Sequence, residues 1–205
     1  MLTLANRVGG SGVLVLKDTF TEGSNTALAS HSPDVDLVGG GWTEGSGSWT
    51  VVASTDDLQV SAGTTHSLCN LDIGSNVFRR AFARVTSPST FATTSSNCGF
   101  VFRYADTNNF YLADLEQVSA TLRLRKRVGG TYTTLNSTSF TVSASTQFDL
   151  TLSVYGDEVL FDVDGTSVSA TLDAAGLNSN TDFGFRSQNN PTAKTWIMDD
   201  LEVYV

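Results

Sequence analysis

Residues 120–128 read Ala-Thr-Leu-Arg-Leu-Arg-Lys-Arg-Val and alternate without a break. Leu122, Leu124 and Lys126 fall on one side, and Arg123, Arg125 and Arg127 on the other. Successive side chains of an extended chain point to opposite faces, so a period of two marks a half-buried strand. Two more strands are expected just upstream, near 99–104 and 110–116, the first apolar and broken by Arg103. The turn formers Asp106-Thr-Asn-Asn109 separate them. Gly129-Gly130 ends the alternating strand and opens a hairpin toward Tyr132.

The rest of the chain repeats this pattern. Residues 13–16 read as a first strand, followed by a long irregular stretch over 21–41 that holds Pro33 and Gly39-Gly-Gly41. Strands are expected near 49–53, 57–61, 66–71 and 77–85, then at 132–136, 147–155 and 158–163. Asp164-Gly165 is a two-residue hairpin signal, and 166–172 returns from it. Residues 174–177 read as one helical turn, and strands near 182–186 and 195–205 close the chain. About fourteen short strands without an amphipathic helix predict an all-β sandwich or barrel. Two antiparallel sheets packed face to face would bury the alternating apolar sets. The first and last strands are both apolar, and pairing them with each other would protect both edges.

Composition narrows the function classes. A chain of 205 residues with 40% hydrophobic content can bury a core, and it fits a polar, glycine-rich arm over 1–11 and one domain over 12–205. The net charge of -9 argues against nucleic-acid binding, which needs clustered Lys and Arg; the run 123–127 is the local exception. No apolar run is long enough for a transmembrane helix, so no membrane insertion is expected. The first ten residues lack the basic start and apolar run of a secretory signal, which on this reading means folding in a cytoplasm. Cys69 and Cys98 fit either a disulfide between strands or two separately buried thiols.

The order of several motifs resembles the concanavalin A-like lectin/glucanase superfamily, in its laminin-G-like and carbohydrate-binding branches. The matching pieces are Asp18-Thr-Phe20, Trp42 with Gly47-Ser-Trp49-Thr-Val51, Gly99-Phe-Val-Phe-Arg103 with Asn108-Asn-Phe-Tyr111, and the stretch 124–130. Val163-Asp-Gly165, Phe183-Gly-Phe185 and Met198-Asp-Asp-Leu-Glu-Val203 complete the set, which covers about residues 17–205. The resemblance implies a two-sheet antiparallel jelly roll with one concave sheet, and implies no particular activity. Residues 21–49, with His31-Ser-Pro33 before Gly-Gly-Trp, also resemble the start of such domains in structural proteins of tailed bacteriophages.

Three chemistries can be weighed on these residues. Hydrolases of this superfamily carry Glu-x-Asp-x-x-Glu on one strand, where alternation aims both carboxyls at one side. The nearest pattern here is Asp114-Leu-Glu116, which lacks the second glutamate; Asp162 and Asp164 share a face, but Asp164 stands in a turn. His31 and His66 have no metal-ligand companion at short spacing and read as ordinary loop histidines. The resemblance suggests a structural calcium as the one candidate cofactor: Asp18 would meet Asp199 and Asp200 if the first and last strands pair, the alternative being that these acids cap strand ends. A glycan site needs an aromatic platform and planar hydrogen-bonding groups. Arg103, Tyr111, Asp114, Arg123 and Arg125 lie on three neighbouring strands and would make such a surface on the concave side; facing outward, they would be a solvated, mutually paired face.

The expectation reached is a non-enzymatic virion structural or decoration protein of a bacteriophage, made in the host cytoplasm. Its partners would be other virion proteins and cell-surface glycans, bound through the concave sheet. A homo-oligomer would be natural there, though nothing in the sequence counts subunits. The alternative is an extracellular carbohydrate-binding module or lectin, and a glycoside hydrolase stands behind both.

Overall fold

The computed structural model describes residues 12–60, 66–173, 176–189 and 195–205. The arm over 1–11 and the helical turn expected at 174–177 fall wholly or partly outside them. Seventeen strands run through the described residues: β1 (Leu14–Asp18), β2 (Thr26–Ala27), β3 (Val35–Asp36), β4 (Thr43–Ser46), β5 (Trp49–Val52) and β6 (Asp57–Val60). Next come β7 (Ser67–Asp72), β8 (Phe78–Thr86), β9 (Ser96–Asp106), β10 (Asn109–Glu116), β11 (Thr121–Val128) and β12 (Thr131–Ser139). The last are β13 (Gln147–Tyr155), β14 (Glu158–Val163), β15 (Thr166–Thr171), β16 (Asp182–Asn189) and β17 (Ile197–Tyr204). One 3-10 turn, Leu28–Ser30, lies among them, and no described helix is long and apolar enough to cross a membrane.

These strands make the two-sheet antiparallel sandwich that the alternation predicts, with the jelly-roll form that the resemblance implies. One sheet of ten strands runs β15-β14-β13-β8-β17-β6-β5-β2, with β1 beside β17 and β3 beside β1. The other, of seven strands, runs β12-β11-β10-β9-β16-β7-β4. The first and last strands pair as expected, with Leu16 opposite Val203.

The inward sets meet between the sheets. Phe100, Phe102, Ala113, Leu115, Leu122, Leu124, Phe183 and Phe185 come from the seven-stranded sheet. Ala81, Ala83, Val85, Leu150, Leu152, Phe161 and Met198 come from the other. The Phe100 and Phe161 rings meet edge to face across the gap at 6.4 Å, and Phe78 meets Phe183 at 5.3 Å. Burying each such side chain contributes about 1.5–3 kcal/mol, so this interior holds the two sheets in register. Cys69 and Cys98 are free, buried thiols, and Cys98 Sγ approaches Met198 Sδ at 3.6 Å. Trp49 and Trp196 are buried in the same core.

A second apolar cluster lies on the opposite face of the seven-stranded sheet. It contains Leu68, Val101, Tyr104, Phe110 and Leu112, with the partly buried Tyr132 against it. The burial of both faces explains why 99–104 and 110–116 look apolar throughout instead of alternating.

Candidate functional site

Register across the seven-stranded sheet lines up the outward side chains in rows. Directly opposed residues on antiparallel strands point to the same face. One row reads Leu68, Arg186, Gly99, Asp114 and Arg123 across β7, β16, β9, β10 and β11. The next reads Asn70, Gly184, Val101, Leu112 and Arg125. A third, at the strand ends, brings Phe110, Arg127 and Tyr132 together, and Asn97 and Glu116 oppose each other on the far side of the Arg186 row. Gly99 is required where Arg186 and Asp114 converge, because a Cβ there would stand 2.0 Å from the Ala113 carbonyl oxygen.

Asp114 is the electrostatic centre. It is fully buried. Arg123 donates through Nε to Oδ1 at 3.2 Å and through Nη2 to Oδ2 at 2.6 Å, and Arg125 Nη2 reaches Oδ2 at 2.5 Å. Arg123 Nη2 also lies 2.6 Å from Glu116 Oε2. Burial works to raise the Asp114 carboxyl, but the Arg125 and Arg123 guanidiniums outweigh it and hold the carboxyl below its ordinary value. Burial likewise disfavours the Arg123 cation, and the charges of Asp114 and Glu116 reverse that.

Arg186 is buried differently. It is 4% exposed, and its guanidinium donates to Asn97 Oδ1 and, at 2.8 Å, to Gln188 Oε1. Arg127 donates to the carbonyls of Gly130 and Thr107 at 3.2 and 2.6 Å. Three guanidiniums close around one ring: Arg125, Arg127 and Arg186 stand 4.8, 5.1 and 5.6 Å from the Tyr132 centroid. Four buried polar atoms on this face have no hydrogen-bond partner among the described residues, namely Asn70 Oδ1, Arg125 Nε, Tyr132 Oη and Arg186 Nε. Native interiors leave few such groups.

The five sequence-expected glycan residues divide. Asp114, Arg123 and Arg125 share this outer face, mutually paired. Tyr111 does not: it is buried between the sheets, stacks on Phe102 at 5.6 Å and donates to the Asp173 carbonyl at 2.5 Å. Alternation explains this, since Tyr111 and Asp114 are three residues apart and must face opposite ways. Arg103 is also absent from the face. It is a bulge residue with φ +46°, the extra residue of β9 between Asp182–Tyr104 and Phe183–Phe102. The bulge redirects its guanidinium to the carbonyls of Asn76 and Gly156 at 3.1 and 2.5 Å and to Asn178 Oδ1 at 2.8 Å. It also returns Tyr104 to the outer face. Arg186, Gln188, Asn97 and Tyr132 share this face and were not picked out from sequence. Arg186 and Gln188 carry the signal in their alternation with Phe183 and Phe185, but the β9–β16 pairing joins segments far apart in the chain.

The expected calcium ligands do not gather. Among the described residues, no three His, Cys, Asp or Glu side chains are grouped to hold a metal ion. Asp18 does lie beside β17, yet its carboxylate is buried and engaged by His31 Nε2 at 2.8 Å, Trp42 Nε1 at 2.7 Å and the Phe20 amide at 2.8 Å. Asp200 sits in a bulge of β17 and binds Arg84. Desolvation pushes the Asp199 carboxyl up to about 6. His31 is no ordinary loop histidine: it is buried, with Nδ1 2.7 Å from Glu22 Oε1. The hydrolase candidates fare no better as acids, because Asp114 and Glu116 both face guanidiniums. Asp162 accepts from the Gly165 amide at 3.0 Å in its turn.

No family model matches the sequence, and no curated protein is significantly similar to it. Solved structures match the fold. The carbohydrate binding module CBM66 from Bacillus subtilis superposes with a TM-score of 0.60 at 15% identity, over 78% of this chain and 92% of that one. A protein of unknown function with a galectin-like fold, also from Bacillus subtilis, gives 0.60 at 14% identity over 95% and 97%. The GH43 protein BlXynB from Bacillus licheniformis gives 0.62 at 16% identity; 92% of this chain matches 39% of that longer one. At these identities the likeness establishes the fold alone: a two-sheet β-sandwich jelly roll, which these solved structures share.

Proposed function

We propose that this protein is a non-catalytic carbohydrate-binding module whose ligand lies on the outer face of β9, β10, β11 and β16. The observation that carries the reading is the gathering of the Arg125, Arg127 and Arg186 guanidiniums around the Tyr132 ring, where Arg125 Nε, Arg186 Nε and Tyr132 Oη have no hydrogen-bond partner among the described residues. Sugar recognition needs an aromatic surface for the apolar sugar face and fixed donors for the hydroxyls. Tyr132 supplies the first, and guanidiniums locked by Asp114, Asn97 and Gln188 supply the second. The fold likeness to CBM66 supports this reading over the virion one, which rests on the likeness of residues 21–49 together with the missing secretory signal and the low charge. An extracellular setting goes with it. The absence of catalysis is argued from Asp114, whose depressed carboxyl is a poor general acid.

A glycan-array screen of wild type and Tyr132→Ala tests the proposal. Binding to a defined glycan set, weakened by the substitution, is the expected result. A folded wild-type protein that binds no glycan overturns it.

A further inference from the structure

One end of the outer face gathers four guanidiniums, those of Arg123, Arg125, Arg127 and Arg186, around two carboxylates, Asp114 and Glu116, on a chain of net charge -9. The two carboxylates are already taken by Arg123 and Arg125. Neither Arg127 nor Arg186 forms an ion pair with a described residue; both donate to neutral carbonyl and amide oxygens. Asp72 and Asp182 oppose each other at the far end of the same face, and Asp182 is held by Asn70 Nδ2 at 2.6 Å. They do not pair with the arginines.

Burying a guanidinium is costly unless it is paired, and Arg is not expected to shed its proton; the Asp114 charge acts on Arg186 but is already bound by Arg123 and Arg125. Burial lowers the Arg186 pKa in the expected sense. Burial and then the charges of Arg186 and Arg127 lower that of His66, which places the imidazole in the same positive field. Arg186 Nε has no hydrogen-bond partner among the described residues. Guanidiniums clustered beside an aromatic ring, with Arg127 only part-buried, fit an anionic group carried on a sugar.

We infer that the face takes an acidic saccharide, one bearing a carboxylate or a sulfate ester, with the anion held by Arg186 and Arg127. This rests on the carbohydrate-binding reading above and narrows it. The test is calorimetric titration of wild type, Arg186→Gln and Arg127→Gln with three oligosaccharides of matched backbone: neutral, uronate-containing and sulfated. Thermal unfolding of each variant identifies any loss due to misfolding, and Arg127→Gln, at a less buried site, serves if Arg186→Gln does not fold. The expected result is tighter binding of an acidic oligosaccharide than of the neutral one by about tenfold or more, weakened by added salt and by similar factors in the variants. The preferred member of the acidic pair names the group. Equal binding of all three overturns the inference and leaves the carbohydrate reading standing. Binding of none overturns both.

Discussion

Asp114 and Arg123 stand directly opposite each other on neighbouring strands, and the guanidinium closes on both carboxylate oxygens. Arg125 reaches the same carboxylate from one row further along the strand. Asp114→Asn therefore leaves Arg125 without its counter-charge and Arg123 with Glu116 alone. The expected loss is about 3–5 kcal/mol of unfolding free energy, read from urea denaturation near neutral pH. Because the folded carboxyl titrates below its ordinary 3.8, the stabilisation is complete above that value. It disappears as the pH falls through the lower folded value. The gap between wild type and the variant should be constant at higher pH and close only in that acidic range. A gap that persists unchanged through acid would contradict the pairing.

His31 gives the opposite dependence. Burial works against its charge, but Glu22 and Asp18 face both ring nitrogens and raise its pKa above 6.5. The protonated imidazole is thus favoured in the fold, and its contribution is complete below 6.5 and fades as the pH rises through the higher folded value. Compared with His31→Asn, wild type should be more stable by on the order of 3 kcal/mol in mild acid, with the margin shrinking in alkali. Thermal melts of both proteins across that range check this, and a margin that grows with pH would refute the assignment.

Tyr132→Phe separates binding from stability. The ring and its three guanidinium contacts stay, while the unpartnered hydroxyl goes. Unfolding free energy should change by less than about 0.5 kcal/mol. Glycan affinity should fall if the hydroxyl meets the ligand, and calorimetry measures it. A large destabilisation would show that Oη has a structural role instead.

Gly99→Ala should destabilise by about 1–3 kcal/mol or more, since the new methyl meets backbone and no flexible side chain. Chemical denaturation reads the cost. Wild-type stability in the variant would mean that β9 and β10 can separate locally.

Cys69 and Cys98 should resist a thiol reagent in the native state and both react after denaturation, because both are buried and free. Rapid labelling of either in the folded protein would contradict their place in the core.

The sequence by itself determined the strand count within a few, an all-β architecture of packed strands, and that Arg123 and Arg125 share one face opposite Leu122 and Leu124. These follow from a period-two pattern and turn residues, which act over neighbouring positions. Alternation also excludes Tyr111 from the face of Asp114, a consequence that chemical grouping of the residues overlooks. Only tertiary structure decided the rest. One residue of bulge at Arg103 redirected that side chain. A long-range pairing of β16 with β9 carried Arg186 over Gly99 to the edge of Asp114. Asp18 was claimed by His31 and Trp42, 13 and 24 positions away, before any cation could be offered it. Local pattern fixes which way a strand's side chains point, and only the register between distant strands fixes which side chains meet.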